Sequence, residues 1–197
     1  MRVAIDGVDG AGKTTFADGL AFALRKIGRP IIRASVDDFH NPRAVRYHRG
    51  KGSPEGFYLD SYDYTSLRRE LLEPLGPLGS GRYRTKVFDH VMDVPIEAEI
   101  EQAAPGSVML LDGIFLHRPE LVDLWDMSMF LHVPFEISIP RGASRGPGFG
   151  SSDLNAVSNR RYIEAQRRYL RECEPERLAT ICIDNSDLDA PCIIPSK

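Results

Sequence analysis

The chain has 197 residues, 42% of them hydrophobic and 27% charged, with a net charge of −3; this suffices for one full α/β core and leaves little room for a second, so residues 1–197 are read as a single domain. The mildly acidic balance gives no footing for nucleic acid or an anionic membrane as the main partner, and no stretch approaches the ~18 apolar residues of a membrane span. Cys173, Cys182 and Cys192 are odd in number and lack C-x-x-C spacing, which argues against a disulfide framework or zinc site and for a reducing, cytoplasmic setting without export leader or anchor.

Arg2-Val3-Ala4-Ile5-Asp6 reads as a short buried strand running into Gly7-Val8-Asp9-Gly10-Ala11-Gly12-Lys13-Thr14-Thr15, the spacing G-x-x-x-x-G-K-[ST]. Glycines let the backbone curl closely round a phosphate chain, with N–H groups pointing inward and a helix starting where negative charge must sit. The pattern implies a nucleoside triphosphate held by Gly7, Asp9, Gly10, Ala11, Gly12, Lys13, Thr14 and Thr15, with Lys13 at the β/γ phosphates and the Thr14 hydroxyl on Mg²⁺. Phe16, Leu20, Ala23, Leu24 and Ile27 recur at helical spacing, predicting the helix that this loop must open.

Gly28-Arg29-Pro30 ends that helix, and a second strand over 31–36 delivers Asp37 and Asp38 to its carboxyl end, where open α/β sheets place ligands. From Phe39 to Tyr58 the residues turn to Pro, Gly, His and Arg without a period, which reads as a long basic loop suited to covering a substrate. A helix is expected over 63–75, and a charged, alternating strand over 82–89 that can pair with 94–100 as a small hairpin. Ser107 to Gly113 is an apolar run ending in Asp112, the form of a buried parallel strand that brings a carboxylate to Mg²⁺ or its water shell. Further strands are expected over 127–133 and 179–183. Between them lie Arg141 and Arg145, a Gly-rich turn, and an amphipathic helix over 159–173 whose arginines at 160, 161, 167, 168 and 171 should largely face solvent. His48, His90, His117 and His132 lack metal-ligand spacing and are read as structural or loop residues.

Phosphate loops serve GTPases, motors and kinases alike. No N-K-x-D run for guanine occurs, and the length leaves no room for the extra modules of most ATP-driven machines. Phosphoryl transfer to a small molecule needs a base near the acceptor hydroxyl, cations over the transferring phosphate and a second pocket. Asp37 or Asp38 can be the base, Arg141 and Arg145 the cations of a lid over 141–152, and the 39–100 insertion the acceptor pocket.

The order GVDGAGKTT, VDDFH, DSYDY, YRTKVFD and LLDGIF, followed by paired lid arginines, resembles the uridine kinase/phosphoribulokinase family of P-loop kinases, and uridine kinase-type members most. The resemblance runs from Arg2 to about Asp189. It implies a three-layer α/β/α fold with a mainly parallel sheet, ATP and Mg²⁺ as cofactors, and a small-molecule acceptor, uridine or cytidine above all; a homo-oligomer stays open. It makes Asp37 the general base for a nucleoside 5′-hydroxyl, with Asp38, Phe39 and His40 beside it. It puts Tyr58 and Asp60 near the sugar, Phe88 and Asp89 at a nucleoside-recognition hairpin, and Asp112 on the metal through water. Gly146 replaces an acid usual in the family, the hairpin's base-reading histidine has no counterpart in the alignment beyond nearby Asp93, and the tail from Asn185 is short of the usual closing helix. The alternatives are a related kinase for another acceptor, such as pantothenate or a sugar phosphate, and an ATP-binding regulatory module.

Overall fold

The computed structural model describes residues 1–146 and 149–195; Pro147 and Gly148, within the expected 141–152 lid, lie outside the described residues, as do Ser196 and Lys197 at the end of the tail. In chain order come β1 (Arg2–Gly7), α1 (Lys13–Lys26), β2 (Ile31–Ser35), a 3₁₀ turn (Val36–Phe39), α2 (Arg43–Arg46), α3 (Pro54–Asp60) and α4 (Tyr64–Leu67), which continues as a π turn through Arg68–Leu72. Then follow β3 (Arg82–Tyr83), β4 (Phe88–Asp89), β5 (Val94–Pro95), β6 (Glu101–Gln102), β7 (Val108–Gly113), β8 (Met127–His132), α5 (Phe135–Ala143), α6 (Val157–Cys173), α7 (Pro175–Leu178), β9 (Ile181–Asp184) and β10 (Cys192–Ile194).

The six-stranded sheet has the order β10-β9-β8-β1-β7-β2; every pairing is parallel except that of β10 with β9. A parallel sheet is stable only with both faces covered, and the residues divide accordingly. Val3, Ile5, Leu110 and Leu131 pack under Ala17 and Ala21 of α1, while Ala4, Leu111 and Phe130 face the opposite layer of Leu67, Leu71, Phe115 and Tyr169. The result is the expected three-layer α/β/α arrangement. β1 leads to helices and strands on both its flanks, β7 on one side and β8 on the other, so a crevice opens beyond its carboxyl end. Register sets what lines that crevice: Ile5 and Ser35 both sit opposite Asp112, and Gly7 opposite Leu131.

Three expectations change. The 39–58 segment is not a structureless loop but carries α2 and α3, the latter started by Pro54 and by the Ser53 hydroxyl accepting the Gly56 N–H at 3.0 Å. Helices of four and seven residues span too few turns to show a period. The 82–100 hairpin is split, β3 pairing with β6 and β4 with β5; between the two pieces the Arg84 side chain binds the Ala98 carbonyl at 2.8 Å and the Glu70 carboxylate at 2.7 Å. The tail adds β10 as an antiparallel edge strand beside β9.

Phe39 was expected beside the acceptor. It is fully buried in the core with Leu67, Leu71 and Leu111, so Phe39→Ala should lower unfolding free energy by about 3–5 kcal/mol in urea denaturation, the cost of an emptied aromatic site. A loss below about 1 kcal/mol would mean that the ring is not packed as described. Among the described residues no helix is long and apolar enough to cross a membrane.

Candidate active site

The turn between β1 and α1 is shaped by close packing on all sides. Gly10 has φ +74°, and a Cβ there would lie 2.0 Å from the Ser138 carbonyl oxygen of α5. At Gly12 (φ +85°) it would meet the Asn185 amide nitrogen at 2.9 Å, the same side chain that donates to the Ala11 carbonyl at 2.7 Å. No side chain caps α1, so its first N–H groups remain free for an anion, as a phosphate cradle requires. Lys13 Nζ folds back to the Val8 carbonyl at 2.8 Å. The Thr14 hydroxyl donates to Asp112 Oδ2 at 2.7 Å, which leaves its lone pairs for a cation. These residues suit a Mg²⁺–triphosphate group: backbone donors and an ammonium for phosphate, a hydroxyl and a carboxylate for the metal.

Beyond the loop, a cavity of about 290 Å³ is shared by Asp9, Lys13, Thr14, Asp37, His40, Asp112 and Arg145, with Phe57, Tyr62, His90 and Tyr162 as its aromatic walls. The Ser35 hydroxyl accepts the Asp37 N–H at 3.3 Å and starts the 3₁₀ turn, which leaves the Asp37 carboxylate exposed. Asp37 Oδ1 accepts the Tyr62 hydroxyl at 3.1 Å. His40 Nδ1 meets the Asp37 carbonyl at 2.8 Å, and its ring stacks on His90 with centroids 4.8 Å apart. Burial, aided by His90 and Arg46, holds His40 below the usual imidazole range although Asp37 opposes it. Tyr62 is pushed well up by burial and by Asp37 and Asp9.

Asp9 faces this acceptor side as well as the loop. Its N–H donates to Gln166 Oε1 at 2.6 Å, and Gln166 Nε2 donates back to Asp9 Oδ2 at 3.1 Å. Burial raises its carboxyl, with Asp37 adding to the shift and Lys13 and Arg145 opposing it. One turn along α6, the Tyr169 hydroxyl donates to the fully buried Asp6, whose carboxylate also accepts the Gly7 and Leu116 N–H groups and His117 Nδ1.

The other residues singled out in the sequence lie off the cavity wall. Gly7, Ala11 and Gly12 build the loop from behind, and Thr15 opens on the far side of α1 with Phe16 and Leu188. Asp38 is not part of the cavity wall; its carbonyl accepts the Val87 N–H at 3.0 Å, and burial, then Asp37, raises its carboxyl. Tyr58 is buried off the cavity wall; its hydroxyl lies 3.4 Å from Cys173 Sγ, and Arg118 covers its ring at 4.5 Å. Asp60 is held by Arg49 at 3.0 Å. Phe88 is buried, and Asp89 accepts the N–H groups of Val91 and Met92, both at 2.9 Å. Arg141 binds the carbonyls of Asn185 and Ser186 at 3.1 and 2.7 Å, beside the loop rather than over the cavity; Arg145 reaches the cavity.

Sequence reading missed several residues of this region. His90 follows Asp89 directly, lines the cavity and stacks on His40. Tyr62 sits inside the DSYDY run. Arg161, expected in solvent, is 8% exposed; its guanidinium lies over Tyr47, Phe57 and Tyr162 at 4.8, 5.3 and 5.6 Å, and Nη1 donates to the Lys51 carbonyl at 2.7 Å. Nothing in the residue pattern distinguishes it from its exposed neighbours. Among the described residues, no group of three or more His, Cys, Asp or Glu is placed to hold a metal ion.

No protein-family model matches the chain. A thymidylate kinase from Xylella fastidiosa is 30% identical over 151 residues, which cover 74% of this chain and 67% of that protein; another, from Xanthomonas campestris, is 27% identical over 64% of this chain and 56% of its own length. A solved structure described as that of a possible uridine kinase from Bacillus stearothermophilus superposes with a TM-score of 0.72 at 25% identity, covering 92% of this chain and 87% of the other. A phosphoribulokinase from Rhodobacter spheroides shares the fold, with a TM-score of 0.62 at 16% identity over 93% of this chain and 70% of the other. With the phosphate loop, the carboxylates facing it and these likenesses together, the chain belongs to the P-loop kinases, phosphotransferases that act on small molecules, and shares its fold with the uridine kinase and phosphoribulokinase structures.

Proposed function

We propose that the chain transfers the γ-phosphoryl group of ATP to the 5′-hydroxyl of uridine or cytidine. The observation that carries this reading is that Lys13 and Thr14, the phosphate-loop side chains, share one cavity with Asp37. Asp37 takes the proton as the acceptor oxygen bonds to the γ-phosphorus and the bond to the β-bridging oxygen breaks, releasing ADP. Tyr62 holds the Asp37 carboxylate in place. Lys13 and Arg145 balance charge gathering on the phosphoryl oxygens, and Asp112 orients the Thr14 hydroxyl toward the cation. Mg²⁺, when bound with the nucleotide, supplies further charge neutralisation and alignment of the phosphates. The His40–His90 stack and the rings of Phe57, Tyr62 and Tyr162 offer flat faces to a pyrimidine. In this reading residues 1–197 form one kinase domain, with 39–100 enclosing the acceptor and 141–152 closing over the phosphates. The unpaired state of Cys173, Cys182 and Cys192 supports placing it in the cytoplasm.

A second reading has specific support. Arg46 and Arg161 are each 8% exposed, and the Nε atoms of both lack a partner among the described residues. Buried guanidinium groups beside an acceptor cavity suit an acceptor with its own carboxylate or phosphate, such as pantothenate or a sugar phosphate. ADP release measured against uridine, cytidine, pantothenate and a set of sugar phosphates separates the two. Uridine or cytidine should raise it at least ~10-fold above the rate with water as acceptor. Stimulation by the anionic compounds alone moves the assignment to the second reading, and stimulation by none of them removes both.

A further inference from the structure

Asp112 has a guanidinium for a neighbour. Its side chain is 4% exposed, and Arg33 Nη2 lies 2.9 Å from Oδ1. Oδ2 already accepts the Thr14 hydroxyl at 2.7 Å. Both oxygens are therefore engaged, one by a guanidinium that Asp18 shares through the same Nη2 at 2.9 Å. The strand register explains the reach. Ser35 of β2 sits opposite Asp112, and Arg33, two residues earlier, projects from the same face of that strand. Its guanidinium is fixed from several sides: Nη1 donates to the Leu110 carbonyl at 3.0 Å and the Ala34 carbonyl at 3.2 Å, and Nε donates to Asp18 at 3.0 Å. Asp18 stands one turn along α1 from Thr14, on the same helix face. Arg33 thus ties the helix that opens the phosphate loop to the strand that carries the carboxylate.

We propose that Arg33 is a positioning residue that keeps Asp112 out of direct metal ligation, by engaging Oδ1 while Oδ2 holds the Thr14 hydroxyl, and so moderates the affinity of the site for divalent cations. A buried carboxylate with a guanidinium at hydrogen-bond distance attracts a further cation less than a free one does. Held in this way, Asp112 acts through the hydroxyl it orients, in the manner of groups that aim a metal's ligands. Without Arg33 no guanidinium offsets the carboxylate's charge and one of its oxygens is free, so it can displace a water from a bound cation.

The inference rests on the nucleotide–metal site proposed above. The probe is Mn²⁺ titrated into the protein with a nonhydrolysable ATP analogue, followed by electron paramagnetic resonance for affinity and by water-proton relaxation for the number of waters on the ion. In Arg33→Met, affinity should tighten by about threefold or more, with one water fewer than in the unsubstituted protein and a lower kcat with Mg²⁺. Unchanged or weaker Mn²⁺ binding, or an unchanged water count, overturns the proposal. Arg33→Gln, which keeps a donor near the two carbonyls, carries the same expectation if the methionine variant does not fold. Absence of nucleotide-dependent Mn²⁺ binding in the unsubstituted protein would instead remove the underlying site.

Discussion

Replacing Asp37 with asparagine should lower kcat by at least ~100-fold, the span expected for loss of a general base, while ATP affinity stays within about twofold. The amide matches the carboxylate in size, and its oxygen can still accept the Tyr62 hydroxyl that Asp37 Oδ1 accepts at 3.1 Å. What it lacks is the capacity to take a proton. The phosphate loop lies on another segment and keeps its contacts, so nucleotide binding is the control that separates lost chemistry from lost folding. Asp38→Asn is the matched comparison: that side chain is not part of the cavity wall, and its variant should retain most activity. Near-normal turnover in Asp37→Asn, measured at saturating acceptor, would remove Asp37 from the role.

Lys13→Met should reduce kcat by about 10³-fold, since a preorganised positive charge over the transferring group is among the largest single contributions to such a reaction. Methionine keeps most of the apolar stem and removes the ammonium. Without nucleotide, that ammonium satisfies the Val8 carbonyl at 2.8 Å, an interaction it can exchange for phosphate oxygens. Weaker binding of ATP should accompany the loss of turnover, and binding of the acceptor alone, followed by calorimetry, should be unaffected because the aromatic walls are intact. A variant that turns over ATP and acceptor at the original rate would dissociate the loop from catalysis.

These two residues were legible in the sequence for different reasons. Lys13 belongs to a contiguous motif whose spacing encodes its own geometry, and the strands over 2–7, 31–35, 108–113 and 127–132 show as apolar runs because both faces of a parallel sheet are covered. Asp37 could be placed at a strand's end by pattern, but choosing it over Asp38 took the family resemblance. The acceptor walls were not legible. Phe57, Tyr62, His90 and Tyr162 come from four separate segments and meet only through tertiary packing. In α3 adjacent residues diverge by the roughly 100° that each helical step imposes: Phe57 faces the cavity while Tyr58, singled out from the sequence, faces Cys173. The amphipathic pattern over 159–173 likewise assigned Arg161 to solvent, because no residue pattern announces that three rings will gather round a guanidinium.

The grip of α6 on the start of the phosphate loop sets how the two ends of the catalytic cavity can behave. Gln166 holds Asp9, and Tyr169, one turn on, holds Asp6, so loosening the loop means lifting a seventeen-residue helix from its seat. Loop and helix therefore open as one cooperative unit, with the helix lending its stability to the triphosphate cradle. The same helix seats the acceptor end, with Arg161 on the Lys51 carbonyl and over the Phe57 ring and Cys173 against the Tyr58 hydroxyl, so both ends of the cavity hang on one support.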